Sequence, residues 1–130
     1  MGAFRMIKIN IDQFAILANE AVSGEISIDI SVGFKYSAEG KRIACAVDVK
    51  YEKDATAIML LKLVCEFVVP DEDWEKYYSN GEFSIPKDLQ EALAAQVIGT
   101  SRGVLFCKTE GTPFSNLVLP PINVVALLDD

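Results

Sequence analysis

Residues 24–37 read GEISIDISVGFKYS, and their alternation decides the first half of the chain. Ile26, Ile28, Ile30, Val32, Phe34 and Tyr36 occupy every second position, with Glu25, Ser27, Asp29, Ser31 and Lys35 between them. Successive side chains of a strand point to opposite faces, so this spacing predicts a strand of about twelve residues with one apolar and one wet face. The same reading extends to RMIKINIDQF (5–14) through Ile7, Ile9 and Ile11, and to RIACAVDVKYE (42–52) through Ile43, Cys45, Val47, Val49 and Tyr51. The segment TAIMLLKLVCEFVV (56–69) departs from it: Met59, Leu61, Leu63, Cys65 and Phe67 lie on one face and Ile58, Leu60, Val64 and Val68 on the other. A strand apolar on both faces is expected to be covered on both.

VSG near Gly24, SAEGK near Gly40 and EKDAT near Asp54 are turn signals short enough for antiparallel hairpins. After Pro70 the pattern changes. PDEDWEKYY gathers four acids at the start of a short helix, where the macrodipole favours them, and ends near SNG. A longer helix is expected from about Pro86, with Leu89, Leu93 and Val97 stacked at i, i+4 and i+8. Ala95, Gly99 and Gly103 repeat every four residues on another line, which signals either a helix break or a close helix-to-helix contact. The expected fold is α+β: a four-stranded antiparallel sheet, a short helix, a long helix and a docked C-terminal segment, in one domain over residues 1–130.

Composition narrows the function. Hydrophobic residues make up 51% of the chain and mean hydropathy is +0.25, yet net charge is −7. Apolar surplus on an acidic chain suggests surface hidden in an oligomer or offered to other molecules. Twelve basic against 19 acidic residues argue against nucleic acid, which needs a basic stripe. Apolar runs are interrupted by Lys62 and Glu66, so no membrane insertion is expected, and the N-terminus lacks the apolar core of a signal peptide. Cys45, Cys65 and Cys107 are odd in number, widely spaced and set among apolar residues, which reads as buried free thiols in a reducing cytoplasm.

The chain has no histidine, which removes the commonest general base and metal ligand together. There is no C-x-x-C pair, no calcium-type loop and no P-loop, since GTSRG (99–103) lacks the Lys-Ser/Thr ending. Asp71, Glu72, Asp73 and Glu75 read as a helix start, and Asp29 and Asp48 as a solvated sheet face. No enzyme, metal or cofactor is expected.

The C-terminus brings a resemblance. TEGTPFSN (109–116) followed by LVLPPINVVALL (117–128) looks like the end of the SecB family of tetrameric bacterial export chaperones, most tellingly at Pro121, Asn123, Ala126 and Leu127. The hairpin RIACAVDVKYEKDATAIMLLKLVCEF (42–67) resembles the family's second and third strands in length and pattern, and the order of elements is similar. The resemblance implies an ATP-independent cytoplasmic holdase, a homotetramer built as a dimer of dimers, whose apolar grooves hold unfolded or precursor polypeptides. It implies SecA docking only weakly, because Lys62 stands where export members carry an acid and their acidic tail is missing. A relative serving toxin-antitoxin clients fits equally well, and a non-enzymatic oligomeric adaptor with no client binding is the alternative.

On that reading Phe114, Leu117, Leu119, Ile122, Val124 and Leu127 line a client groove, with Trp74, Tyr77 and Tyr78 as an aromatic stripe on the short helix. Ala95, Gly99, Gly103 and Leu60 belong to the oligomer interface. Glu25 and Asp29 form an acidic face toward a basic partner. For each, the plainer role is core, helix packing face or solvated surface.

Overall fold

The computed structural model describes residues 3–18 and 24–129. Four strands form one antiparallel sheet: β1 (Arg5–Ile16), β2 (Ser27–Ser37), β3 (Arg42–Lys53) and β4 (Thr56–Val68). Their order across the sheet is β1-β4-β3-β2. The two later hairpins form as the sequence predicts, with Gly40 and Asp54 at positive φ in their turns. The first does not: β1 pairs with β4 and lies at the opposite edge from β2. Alternation fixes which side chains share a face but not which strand is the neighbour, and β4, left with a free edge by the β2–β3–β4 meander, offers the long partner. Val22 and Ser23 of the expected first turn lie outside the described residues.

The inner face is assembled row by row. Phe34, Cys45, Cys65 and Ile9 stand opposite one another across the four strands, as do Val32, Val47, Leu63 and Ile11. The β3 and β4 members of these rows are fully buried because α2 (Lys87–Thr109) lies over them, presenting Leu89, Leu93, Val97 and Leu105. The helix runs unbroken through Gly99 and Gly103, so the break alternative falls away. Ser101, fully buried, and Thr109 turn their hydroxyls back onto the carbonyls of Val97 and Leu105, which satisfies them inside the core.

The outer face carries no helix among the described elements. Leu60, Val64 and Val68 are only half-buried there, so the double cover expected of β4 is not supplied within the chain. The β1 edge is also open on the inner side. Ile9 is 54% exposed although it stands on the core face, and Ile7 and Ile11 are exposed beside it. Bulges between Met6 and Lys8 and between Ile11 and Gln13 bend this strand.

After Pro70, α1 (Asp71–Tyr77) is shorter than the sequence implied. Tyr78 is extended rather than helical and opens a small hairpin of β5 (Tyr78–Ser79) and β6 (Glu82–Phe83). Asn80 and Gly81 at φ 53° and 77° supply the left-handed pair that a tight two-residue hairpin requires. The C-terminal segment ends in α3 (Val124–Leu128), capped by the Asn123 side chain, which accepts a hydrogen bond from the Ala126 amide at 3.1 Å. No helix among the described residues is long and apolar enough to cross a membrane.

Cys45 and Cys65 are buried as expected, directly opposite each other on β3 and β4, but Cys107 is exposed. It falls on the side of α2 turned away from the sheet, where apolar neighbours in sequence are not neighbours in space. Burial pushes the Cys45 thiol up to about 12, with its neighbour Cys65 adding to the rise, and pushes Cys65 up to about 11.

Candidate functional site

A continuous apolar row on an open edge follows β2. Its inner row, Ile28, Ile30, Val32 and Phe34, is half-buried and ends at the exposed Tyr36, while one side of the strand pairs with β3 and the other has no partner strand among the described residues. At about 3.3 Å per residue the row from Ile28 to Tyr36 is roughly 27 Å long. An edge of this kind presents unpaired backbone groups beside a ribbon of side chains.

Each end of the row has a wall. At the Ile28 end, α3 and the residues before it form a groove of about 360 Å³ with Ile28, Ile30, Ile122, Ala126 and Leu127 in its lining. Three side chains anchor this wall to the body. Arg102 of α2 donates from Nε to the Leu119 carbonyl at 2.8 Å and from Nη2 to the Pro120 carbonyl at 3.0 Å. The Tyr51 hydroxyl donates to the Leu117 carbonyl at 3.1 Å; burial pushes that hydroxyl up to about 12, with the Arg102 guanidinium pulling the other way. Farther along, Lys87 reaches the Leu128 carbonyl at 2.9 Å and Asp129 at 3.1 Å.

At the Tyr36 end the wall is aromatic. Tyr36 stacks on Phe83 with ring centroids 4.4 Å apart, Trp74 lies 4.5 Å from the same ring, and Tyr77 and Tyr78 meet it at 6.3 Å. Phe83 is therefore the hub of a five-ring cluster. Offset and edge-on contacts of this kind add about 0.5–1.5 kcal/mol per pair beyond burial.

Of the nine residues expected to line a groove, the structure divides three ways. Phe114, Leu119, Trp74 and Tyr77 are buried in the chain's own core and present no surface, which corrects their assignment as wall residues. They plug the space beneath the C-terminal segment and α1, where a large apolar side chain is worth more inside than on a rim. Leu117, Ile122, Val124 and Leu127 are half-buried against that core, and of these Ile122 and Leu127 reach the β2 groove. Tyr78 is exposed in the aromatic wall.

The interface residues do not come together. Ala95, Gly99 and Gly103 line the side of α2 facing away from the sheet, with Phe106, 57% exposed, beside them. A Cβ added at either glycine would meet nothing within 4 Å. Leu60 is on the other side of the molecule, on the outer sheet face. Glu25 lies ahead of β2 and Asp29 within it, both exposed, with Lys50 directly across from Asp29, so the two do not form an acidic cluster. Sequence reasoning missed Arg102, Tyr36 and Phe83 as site residues. Asn-Gly at 80–81 was the one available signal, because it announces the hairpin that carries Phe83.

The chain superimposes on the Mycobacterium tuberculosis SecB-like chaperone Rv1957, solved in complex with a ChAD peptide from the Rv1956 HigA1 antitoxin, over 92% of this chain and 90% of that one, with a TM-score of 0.53. The fold is SecB-like. Sequence identity across the superposition is 10%, so the SecB-like architecture is common to both while nearly every side chain differs. No family model and no curated protein sequence matches the chain.

Proposed function

We propose that this protein is an ATP-independent holdase that binds non-native polypeptides along the β2 edge. The observation carrying the proposal is the unbroken apolar row Ile28–Tyr36 on an unpaired strand, walled by α3 at one end and by aromatic rings at the other. An extended client laid beside β2 gains backbone hydrogen bonds from the open edge and buries alternate side chains on the row. Each Å² of apolar surface removed from water is worth about 25 cal/mol, so binding needs apolar area and not exact polar matching. The aromatic wall and half-buried aliphatic row tolerate varied sequences for the same reason.

The SecB-like fold supports this reading, as does the peptide bound by the Rv1957 chaperone. That peptide favours an antitoxin-type segment over an export precursor as client, and the Lys62 departure weighs against the SecA motor. We place the activity in the cytoplasm. Assembly is part of the proposal. The exposed Ile7, Ile9 and Ile11 of β1 and the small, uncharged residues Ala95, Gly99 and Gly103 on the outward side of α2 are surfaces that a homotetramer, as two dimers, would cover.

The test is light scattering of a chemically unfolded model protein diluted with and without the chain, in the absence of nucleotide. Suppression near one oligomer per client, lost in Ile30→Ser/Leu127→Ser while circular dichroism and oligomer size stay unchanged, is the expected result. A well-folded oligomer that suppresses nothing leaves the adaptor reading, which the small-residue side of α2 favours by itself. Apolar-dye binding to the native assembly separates the two: a holdase binds dye when fully folded, and a closed adaptor does not.

A further inference from the structure

The outer face of the sheet contains a hollow of about 330 Å³ that the holdase reading does not use. It exists because Gly33, Ala44 and Ala46 stand together where neighbouring positions carry longer side chains. Gly33 is directly opposite Ala46 on β3, Ala46 is opposite Val64 on β4, and Ala44 is one step along. The floor is thus small and apolar. Lys8, Lys35 and Lys62 stand around it, with Asn10, Asp12 and Glu66.

The charges on this rim are unequal in a way that matters. Glu66 is already shared by two cations, Lys8 at 3.7 Å and Arg42 at 3.4 Å, and Asp12 accepts a hydrogen bond from Asn10. Lys35 and Lys62 make no ion pair among the described residues, although Asp48 stands directly across from Lys62 at the border with the next hollow. On a chain of net charge −7, five of the twelve basic residues, Arg5, Lys8, Lys35, Arg42 and Lys62, lie on this half of the outer face. Glu66 is offset by two cations and Asp12 is bonded only to a neutral amide, so Lys8, Lys35, Arg42 and Lys62 against two carboxylates leave an excess of positive charge over an apolar floor, which complements a ligand that is itself apolar and anionic.

We propose that this hollow docks an acidic segment of another polypeptide, with small apolar residues on the Gly33–Ala46–Val64 floor and carboxylates on Lys35 and Lys62. Lys35 and Lys62 are two strands and four residues apart, or about 16 Å between Cα atoms, at about 4.8 Å per strand and 3.3 Å per residue. An extended segment therefore places its acids about five residues apart, with the apolar residues between them. The partner surface lies on the opposite face of the sheet from the inner row of β2, so client and docking partner bind without competing.

The probe is a fluorescein-labelled peptide with two glutamates flanking four alanine and valine residues, followed by anisotropy at low and high salt. Expected are micromolar binding that weakens in 0.5 M salt, at least a tenfold loss in Lys35→Glu/Lys62→Glu, and a loss in Ala46→Leu, which fills the floor with all charges intact. Ile30→Ser/Leu127→Ser retains full binding, so failure of the holdase reading does not mimic failure here. The inference is overturned if the peptide with lysines in place of glutamates binds equally, if the charge-reversed variant binds as the parent does, or if only inorganic phosphate or phosphatidylglycerol vesicles engage these lysines.

Discussion

Replacing Arg102 with methionine keeps the apolar stem and removes the two donors that hold the Leu119 and Pro120 carbonyls at 2.8 and 3.0 Å. Hydrogen bonds from a charged donor contribute about 1.5–3 kcal/mol each, but the Pro120 carbonyl lies at the exposed end of the pair, where water replaces the lost donor, so nearly all of the loss falls on the Leu119 bond. A loss of about 2–3 kcal/mol follows, and it is local. Leu119 is 1% exposed, so its carbonyl has no ready access to water unless the segment lifts. Among the described residues, the side-chain bonds of Tyr51 and Lys87 then remain to tie the segment 117–129 to the body, beside the packing of Leu119. Hydrogen exchange by mass spectrometry resolves this. Amides of 117–129 should exchange some 30- to 150-fold faster in Arg102→Met, since 1.4 kcal/mol is tenfold, while amides of β3 and β4 stay as protected as before. A uniform rise across the sheet would mean that Arg102 supports the whole fold. No change at 117–129 would refute the anchoring role outright.

Three further outcomes follow from the geometry. Stability to urea should fall between pH 9 and 11: the folded thiols of Cys45 and Cys65 hold their protons to about 12 and 11, while the unfolded ones release them near 9, so the unfolded state gains by ionising. The drop from neutral pH is about 3 kcal/mol at pH 10 and should shrink to well under half of that in Cys45→Ala/Cys65→Ala, whose overall stability is lower, the remainder coming from Tyr51, whose hydroxyl is also pushed up by burial. Gly99→Ala/Gly103→Ala should raise helix stability by about 1 kcal/mol per site, because no atom opposes the new Cβ, and yet weaken the oligomer in sedimentation if another helix approaches there. Tyr36→Ala, which removes the ring stacked on Phe83, should cost about 1–2 kcal/mol in thermal unfolding and reduce client suppression without dissociating the assembly.

How much of this was legible in the sequence depends on the range of the signal. Strand β3 was readable to within a residue because alternation over Ile43–Tyr51 is a local property, and Leu89, Leu93 and Val97 were assigned to the buried side of α2 for the same reason. The β1–β4 pairing was not, because Arg5 and Val68 stand opposite each other through backbone pairing of the two strands, which no side-chain pattern marks. Phe114 and Leu119 look identical in sequence to wall residues such as Ile122, since apolar character does not distinguish what is covered from what is open. Arg102 was hidden for a different reason: its partners are backbone carbonyls 17 and 18 residues away. The aromatic cluster joins Tyr36 to Phe83 across most of the sheet and α1, and only the Asn80-Gly81 turn hinted at it.

The position of β1 has a consequence for how the chain is made. Arg5 pairs with Val68, so 68 − 5 = 63 further residues must be synthesised before the first strand meets its partner, which at about 5–20 residues per second takes several seconds. The β2–β3–β4 meander is complete only at the end of that interval, and until then β1, made first, waits without the β4 edge it pairs with. Any β1 fills that edge equally well, including the one trailing from a neighbouring copy on the same message. A protein proposed to guard unfolded chains thus passes through a stage in which its own isoleucine-rich first strand is the exposed segment, and exchange of that strand between copies is the error its topology invites.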